Sequence, residues 1–186
     1  MKKCIIIIML LITAVAGYCR QPERGYRGFI EWDNALTTYD VWYPGNSETF
    51  YYWGVSTSHG YQFNPNFYLG AGLAVRYCNK EDGLELPLFL HARTDQKFGG
   101  FTPFAELRAG YTIANNNRLF AAPTIGYRFN WGRKAGLNVG VGLSVDTYKV
   151  DLIESGPGNN GYWEYTKVGS KRITKAYFTF RIGFDF

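Results

Sequence analysis

Apolar and polar side chains alternate with a period of two along most of the chain after Arg24. Successive residues of a β-strand point to opposite faces of its sheet, so this period predicts strands with one apolar face and one small or polar face. Helical periodicity is almost absent from the same region. We expect eight strands, at residues 25–34, 49–62, 67–79, 84–94, 101–114, 118–130, 135–150 and 171–186.

Turn-forming residues separate the predicted strands. The clearest turn signals are Asn64-Pro65-Asn66, Glu81-Asp82-Gly83, Gly99-Gly100, Asn115-Asn116-Asn117 and Gly132. Two gaps are longer, at 35–48 and 151–170, and the second contains the loop-forming sequence Ser-Gly-Pro-Gly-Asn-Asn-Gly. We therefore expect two long loops, and neither a linker nor a second domain.

Aromatic residues stand at both ends of the apolar faces. Tyr51 and Trp53 lie at one end of the second predicted strand, and Tyr61 and Phe63 lie at the other. The opposite faces carry mainly Gly, Ser, Asn and Tyr, whereas a sheet face in water would carry many Lys, Glu and Thr. Aromatic girdles around an aliphatic band are typical of transmembrane β-barrels, which close because lipid tolerates no unpaired sheet edge. The expected fold is all-β, a closed eight-stranded antiparallel up-and-down transmembrane β-barrel.

The first residues have the pattern of a secretory signal peptide. Met1-Lys2-Lys3 is followed by an apolar run over residues 4–16, which is too short to anchor a protein in a membrane. Cleavage after residue 16 or after residue 19 fits the small residues there. A lipid anchor on Cys19 fits less well, because the large Tyr18 precedes that cysteine. We assign 1–19 to the signal peptide and 20–186 to the barrel domain.

The overall charge gives little information about partners. The full chain has 20 Lys and Arg against 15 Asp and Glu. Without Lys2 and Lys3 the balance is 18 − 15 = +3. This modest excess does not point to a nucleic-acid partner, and we expect none. After cleavage at the second site only Cys78 remains, so no internal disulfide is expected.

Charged side chains fall on the inward face of the predicted barrel. The expected inward set contains seven basic and six acidic residues together with His91. It consists of Arg27, Glu31, Asp33, Arg76, Glu85, His91, Arg93, Glu106, Arg108, Arg128, Asp146, Lys175, Arg181 and Asp185. Eight strands enclose a lumen only just wide enough for side chains, so a structural salt-bridge plug is favoured over an ion path or a catalytic cluster.

Hairpin geometry predicts particular partners within this set. The short connection at residues 79–82 places Arg76 opposite Glu85, and a tight connection at 115–117 would place Glu106 beside Arg128. In an antiparallel ladder, the residue numbers of two opposed residues add up to the same value at every pair. At the seam between the first and last strands, a sum of 212 would pair Arg27 with Asp185 and Glu31 with Arg181.

The chain end adds a further signal. Phe180, Ile182, Phe184 and Phe186 alternate up to a terminal aromatic residue. With this strand, the signal peptide, the segment Thr57-Ser58-His59-Gly60-Tyr61-Gln62-Phe63-Asn64-Pro65 and the segment 69–73, the chain resembles the small OmpA/OmpX-type barrels and the porin-family outer-membrane β-barrel proteins. The resemblance implies an outer-membrane location with both termini periplasmic, contact with lipopolysaccharide, and insertion by the barrel assembly machinery through Phe186.

No catalytic or metal site is expected. Lipid A deacylases carry a His followed two residues later by a Ser, but Tyr61 follows His59 at that spacing. His91 is more naturally a hydrogen-bonded lumen residue than a base. The two His do not form a metal cluster, and the glycine pairs at 70–72 and 140–142 lie in strands without the helix that a phosphate loop needs. We expect neither an enzyme nor a bound cofactor.

The two long loops are the remaining candidates for function. Their aromatic residues could contact a protein partner or form part of the outer girdle: Tyr39, Trp42, Tyr43, Tyr162, Trp163 and Tyr165. Basic residues near the outer rim could meet lipopolysaccharide phosphates or be ordinary solvated charges: Lys149, Lys167, Lys171 and Arg172. The leading hypothesis is a structural, adhesive or accessory protein. A narrow channel and a lipid A-modifying enzyme are the alternatives.

Overall fold

The computed structural model describes residues 24–40, 47–79, 83–96, 101–113, 117–131, 135–157 and 163–186. The predicted signal peptide at 1–19 lies outside the described residues. Within these ranges, no helix is long and apolar enough to cross a membrane.

The described residues form one closed barrel of eight antiparallel strands, in which each strand pairs with the next and the last pairs with the first. The strands are β1 Gly25–Asp40, β2 Ser47–Asn64, β3 Phe67–Cys78, β4 Gly83–Asp95, β5 Phe101–Ile113, β6 Arg118–Trp131, β7 Ala135–Pro157 and β8 Trp163–Asp185. The up-and-down order confirms the predicted fold.

Four strands extend into the segments predicted as long loops. β1 continues to Asp40 and β2 begins at Ser47, while β7 continues to Pro157 and β8 begins at Trp163. The predicted loops at 35–48 and 151–170 are therefore wrong over most of their length. Strict alternation is required only where one face of a strand meets lipid, so it stops at the edge of the lipid belt even though strand pairing continues beyond it.

The β7–β8 hairpin projects past its neighbours. The β6 ladder reaches Tyr148 of β7, and the β1 ladder reaches Phe178 of β8. Farther from the termini, β7 and β8 pair only with each other in the described part of the chain, up to Pro157 opposite Trp163. Among the described residues, this hairpin extends farthest at the end of the barrel opposite the termini.

The two faces of the wall differ in the way that a membrane requires. On the outer face, Trp32 is 50% exposed and Leu88 is 49% exposed. On the inner face, Arg108 is fully buried. Aromatic girdles flank the aliphatic belt: Tyr61 contacts Phe63 at 5.2 Å between ring centroids at the end that carries the termini, and Trp53 contacts Tyr77 at 6.1 Å toward the other end. This arrangement is that of a membrane-spanning barrel.

One predicted hairpin register is confirmed and one is wrong. Arg76 lies opposite Glu85 in the β3–β4 ladder, as predicted. In the β5–β6 ladder, however, Glu106 lies opposite Thr124, and Arg128 lies opposite Thr102. The prediction for Glu106 and Arg128 fails because paired residues in this hairpin sum to 230, which centres it on residue 115 rather than farther along the chain.

The seam between β1 and β8 closes two residues away from the predicted register. Asp33 lies opposite Arg181, and Glu31 lies opposite Gly183, so that the sum is 214 instead of 212. A Cβ atom on Gly183 would lie only 2.2 Å from Cγ of Glu31. Glycine therefore leaves the space that the Glu31 side chain needs inside the lumen in the observed register.

A second glycine accommodates the chain terminus. The backbone N–H of Gly28 donates to the carbonyl of Phe186 at 2.9 Å, and the N–H of Phe186 donates back at 3.0 Å. A Cβ on Gly28 would lie 2.7 Å from the Phe186 ring. The terminal aromatic ring thus lies over a position without a side chain on the outer wall.

Candidate functional site in the barrel interior

The lumen contains balanced charge. Seven Arg and seven Asp or Glu side chains are buried among the described residues. They are Arg27, Arg76, Arg93, Arg108, Arg118, Arg128 and Arg181, with Glu31, Asp33, Glu85, Asp95, Glu106, Asp146 and Asp185. An unpaired buried charge is costly, so equal numbers are a condition for filling the lumen in this way.

The predicted set differs from the observed one at three positions. Lys175 is only partly buried, and its ammonium lies 5.9 Å from the Phe50 ring centroid. Arg118 and Asp95 are buried but were absent from the prediction. Arg118 begins the sixth predicted strand on the same face as Arg128, and Asp95 lies one residue past the fourth predicted strand on the same face as Arg93. The alternation of side chains could therefore have identified both.

At the end nearest the termini, Asp185 is shared between arginines. Arg128 Nε donates to Asp185 Oδ1 at 2.7 Å, and Arg27 Nε donates to Asp185 Oδ2 at 3.2 Å. Arg27 also pairs with Asp95, which Arg93 contacts at 2.8 Å. We call these five residues the lower cluster. It joins β1, β4, β6 and β8 across the lumen.

At mid-height, Glu106 of β5 contacts three arginines. Arg181 Nη1 donates to Glu106 Oε1 at 2.6 Å. Arg108 lies at 3.5 Å and Arg93 at 3.7 Å. Glu106 thus links the mid-height charges to Arg93 of the lower cluster.

The same level includes the charges of β1. Arg108 pairs with Glu31 and lies 3.5 Å from Asp33. Arg181 Nε lies 3.2 Å from Asp33 Oδ1. The middle cluster consists of Glu106, Glu31, Asp33, Arg108 and Arg181. It crosses the barrel from β1 to β5 and β8.

His91 lies within a chain of hydrogen bonds beside the middle cluster. Its Nδ1 is 2.8 Å from the Ser58 hydroxyl, and its Nε2 is 3.1 Å from Glu106 Oε2. A serine, a histidine and a carboxylate therefore adjoin in the order used by hydrolases, an arrangement that sequence reasoning missed because the three lie on separate strands. Ser58 is only 1% exposed and His91 is fully buried, so both side chains are enclosed in the barrel interior.

Farther from the termini, Arg118 forms a cluster with Glu85 and Asp146, which we call the upper cluster. This arginine donates to Glu85 at 2.6 Å and to Asp146 at 2.8 Å. Arg76 lies between two rings, 4.6 Å from the centroid of Tyr52 and 5.4 Å from that of Phe120. Its Nε and Nη1 have no hydrogen-bond partner among the described residues. Stacking on aromatic faces stabilises a guanidinium that hydrogen bonds only partly satisfy.

Aromatic side chains occupy the space between the charges. Arg93 lies 3.7 Å from the centroid of the Phe104 ring, and Arg108 lies 5.2 Å from that of Phe89. An apolar cluster of Ala35, Phe50, Tyr52, Cys78 and Tyr177 continues the filling toward the upper end. The three clusters and these rings lie in the interior along the described strands.

His59 lies on the outer wall, close to the end that carries the termini. The Tyr26 hydroxyl is 2.6 Å from its Nδ1, and Thr57 Oγ1 is 2.9 Å from its Nε2. Thr57 in turn donates to the carbonyl of Phe29 at 3.0 Å. The imidazole is thus satisfied by neighbouring strands. No group of three or more His, Cys, Asp or Glu suited to a metal ion occurs in the described part of the chain.

The predicted outer-loop residues divide between strands and undescribed segments. Tyr39 belongs to β1, and Trp163 and Tyr165 belong to β8. Trp42, Tyr43 and Tyr162 lie outside the described residues. The aromatic set is therefore carried in part by the extended hairpins rather than by free loops.

No protein-family model matches this chain, and no curated protein matches it. Among solved structures, the outer membrane protein OprG from Pseudomonas aeruginosa is similar, with 14% sequence identity and a TM-score of 0.49 over 90% of this chain and 97% of that chain.

Proposed function

We propose that this chain is an integral outer-membrane β-barrel with a side-chain-filled lumen, which acts as a structural, adhesive or accessory component through its outer hairpins. The observation that supports this most strongly is the interior itself. Seven arginines and seven acidic side chains balance one another, and the three clusters cross the lumen at successive heights. A wall with an apolar outside and a charged, packed inside suits a protein that presents surfaces rather than conducts solutes.

The proposed orientation places both termini in the periplasm. Short connections of such barrels face the periplasm, and the long ones face outward. The β7–β8 hairpin would then project from the cell, with Trp163 and Tyr165 on β8 as contact residues for a protein partner. In this orientation Lys149 and Arg172, which are opposed in the ladder, would lie near lipopolysaccharide phosphates. Phe186 would act as the signal for the barrel assembly machinery.

The two alternatives have less support. A narrow channel would need a path past the lower, middle and upper clusters, each of which joins several strands. A lipid A-modifying enzyme would need a group that lipid can reach, whereas Ser58 and His91 are enclosed. His59 does face outward, but it lies toward the proposed periplasmic end, away from the leaflet that contains lipid A.

Cysteine labelling of intact cells tests the orientation. A cysteine at Gly158 should react with a membrane-impermeant maleimide, whereas one at Lys97 should react only after the outer membrane is permeabilised. Both variants use a Cys78→Ser background. The reverse pattern would reject the proposed orientation, and labelling of both sites only after permeabilisation would reject exposure of Gly158 at the cell surface.

Affinity capture tests the role of the outer hairpin. The chain is purified from detergent-solubilised outer membrane, and the co-purifying proteins are identified by mass spectrometry. A Trp163→Ser, Tyr165→Ser variant should lose a specific partner, while the control Leu84→Val, on the lipid-facing wall, should retain it. Identical partner sets for all three forms would count against a contact role for these two aromatic residues.

A further inference from the structure

We infer that a groove in the outer wall binds the acyl chain and amide linkage of one lipopolysaccharide molecule, an inference that rests on the outer-membrane orientation proposed above. The groove has a volume of about 550 Å³ and lies across β1, β2 and β8. Its lipid-facing lining is mostly aromatic: Trp32, Asn34, Leu36, Tyr51, Trp53 and Phe178. Since this wall faces hydrocarbon, the natural occupant of the groove is part of a lipid.

Asn34 makes the groove unlike ordinary lipid-facing wall. Its neighbours Asp33 and Ala35 are buried, whereas Trp32 and Leu36 are 50% and 54% exposed. Asn34 therefore belongs to the outward set of β1 and lines the groove. Among the described residues, its side-chain amide has no hydrogen-bond partner. An amide held against hydrocarbon without a partner costs a few kcal/mol, and a ligand that supplies a donor and an acceptor removes this cost.

The depth of Asn34 indicates which part of a lipid lies beside it. Asn34 follows Tyr26 by eight residues along β1, and Tyr26 lies opposite Tyr61 of the aromatic girdle at the end that carries the termini. A strand rises about 3.3 Å per residue and is tilted by roughly 40° in such barrels, so Asn34 lies about 20 Å above that girdle. The apolar band is about 25 Å tall. Asn34 is therefore just inside the far edge of the band, where acyl chains join their head group.

The chemistry of that junction selects the lipid. In the proposed orientation, this edge belongs to the outer leaflet, which contains lipopolysaccharide. Its amide-linked hydroxyacyl chains offer both donors and acceptors, and a side-chain amide can satisfy both. The ester linkages of a phospholipid offer acceptors only. The groove then holds the acyl chain against Leu36 and Phe178, and Asn34 bonds the linkage.

A second groove provides the matched control. It has a volume of about 470 Å³ and lies across β5, β6 and β7, with Ile125, Val139 and Val141 in its lining. No side-chain amide is among the residues that line it. The hydroxyl of Tyr127 is the polar side-chain group of this lining, so the groove can accept an acyl chain but offers no side-chain amide to its linkage.

Native mass spectrometry of the folded full-length barrel tests the site. The micellar protein is titrated with deep-rough lipopolysaccharide and, separately, with dipalmitoyl phosphatidylethanolamine. Asn34→Leu should weaken binding of the first lipopolysaccharide about fivefold, the size expected for one net hydrogen bond, and should leave phosphatidylethanolamine binding unchanged. Leu36→Trp, which fills the groove, should remove one bound lipopolysaccharide. The control Ile125→Leu should bind as wild type does.

Two results would overturn the inference. One is unchanged lipopolysaccharide affinity in folded Asn34→Leu, and the other is an equal loss for both lipids, which would make the groove a general lipid contact. Both Asn34→Leu and Leu36→Trp place an apolar side chain toward lipid, and folding is verified by heat-modifiable gel mobility. Because the titration uses purified protein, its failure rejects the lipid site alone, whereas the labelling of intact cells decides the orientation.

Discussion

Arg181 of β8 donates a 2.6 Å hydrogen bond to Glu106 of β5 across the lumen. The two residues are 75 positions apart and belong to strands that are not neighbours in the sheet. Contacts of this kind brace opposite sides of the wall. Because of these contacts, we interpret the interior side chains as a plug of the lumen rather than as the lining of a pore.

Removal of Glu106 should destabilise the barrel strongly. Glu106→Gln leaves Arg181 with less compensation inside the lumen, which should cost about 3 kcal/mol. The double variant Glu106→Gln, Arg181→Gln keeps the charge balance and should be less destabilised than the sum of the two single variants by at least about 1 kcal/mol. Guanidinium unfolding in micelles measures these values.

The control is a second cycle, in which Arg128→Gln takes the place of Arg181→Gln. Arg128 bonds Asp185 instead of Glu106, so the effects of Glu106→Gln and Arg128→Gln should add, within about 0.5 kcal/mol. Coupling between Glu106 and Arg128 equal to that between Glu106 and Arg181 would contradict the pairing described here.

The register of the seam can be measured by disulfide formation. Ile30 lies opposite Phe184 on the outer face. Ile30→Cys with Phe184→Cys should oxidise rapidly, because opposed Cα atoms of a ladder are about 4.5–5.5 Å apart. Ile30→Cys with Ile182→Cys, the pair required by a sum of 212, should oxidise slowly. Mass spectrometry of cross-linked peptides in a Cys78→Ser background gives both rates. Faster oxidation of the second pair would show that the seam closes at 212.

The lipid-facing side chains of β4 predict that an introduced charge lowers the free energy of unfolding more near the middle of the bilayer than near its edge. Leu88 is 49% exposed on the lipid side near the middle of the strand, so Leu88→Arg should cost about 2–4 kcal/mol of unfolding free energy in vesicles. Leu84 lies near the end of β4, where the same change should cost only about 0–1 kcal/mol. Equal costs at the two positions would mean that Leu88 does not face the bilayer interior.

The enclosed serine, histidine and glutamate should be structural. Ser58→Ala removes the 2.8 Å contact to His91 and should lower the unfolding free energy by about 1 kcal/mol. The lipid A of cells that express this variant should have the same mass spectrum as that of wild-type cells. A spectrum that changes to match that of a deletion strain would instead indicate catalysis by this group.

Much of the fold could be predicted from the pattern of side chains. Lipid imposes apolar residues on one face of every spanning strand, so alternation identified eight strands and placed Arg108 inside. Outside the lipid this requirement ends, which is why the length of the β7–β8 hairpin could not be predicted. The alternation of inward and outward positions also cannot identify partners across the lumen, because these partners depend on strand tilt and stagger. The contact between Glu106 and Arg181 is such a case.

The central claim, a lumen closed by its own side chains, is tested most directly by conductance across a planar lipid bilayer. The purified barrel is inserted from detergent, its insertion is verified by protease protection, and a general porin in the same bilayer serves as the positive control. We predict no discrete conductance steps from this protein, because the lower, middle and upper clusters cross the interior. Reproducible conductance steps from the folded barrel would contradict the account and would favour the narrow channel.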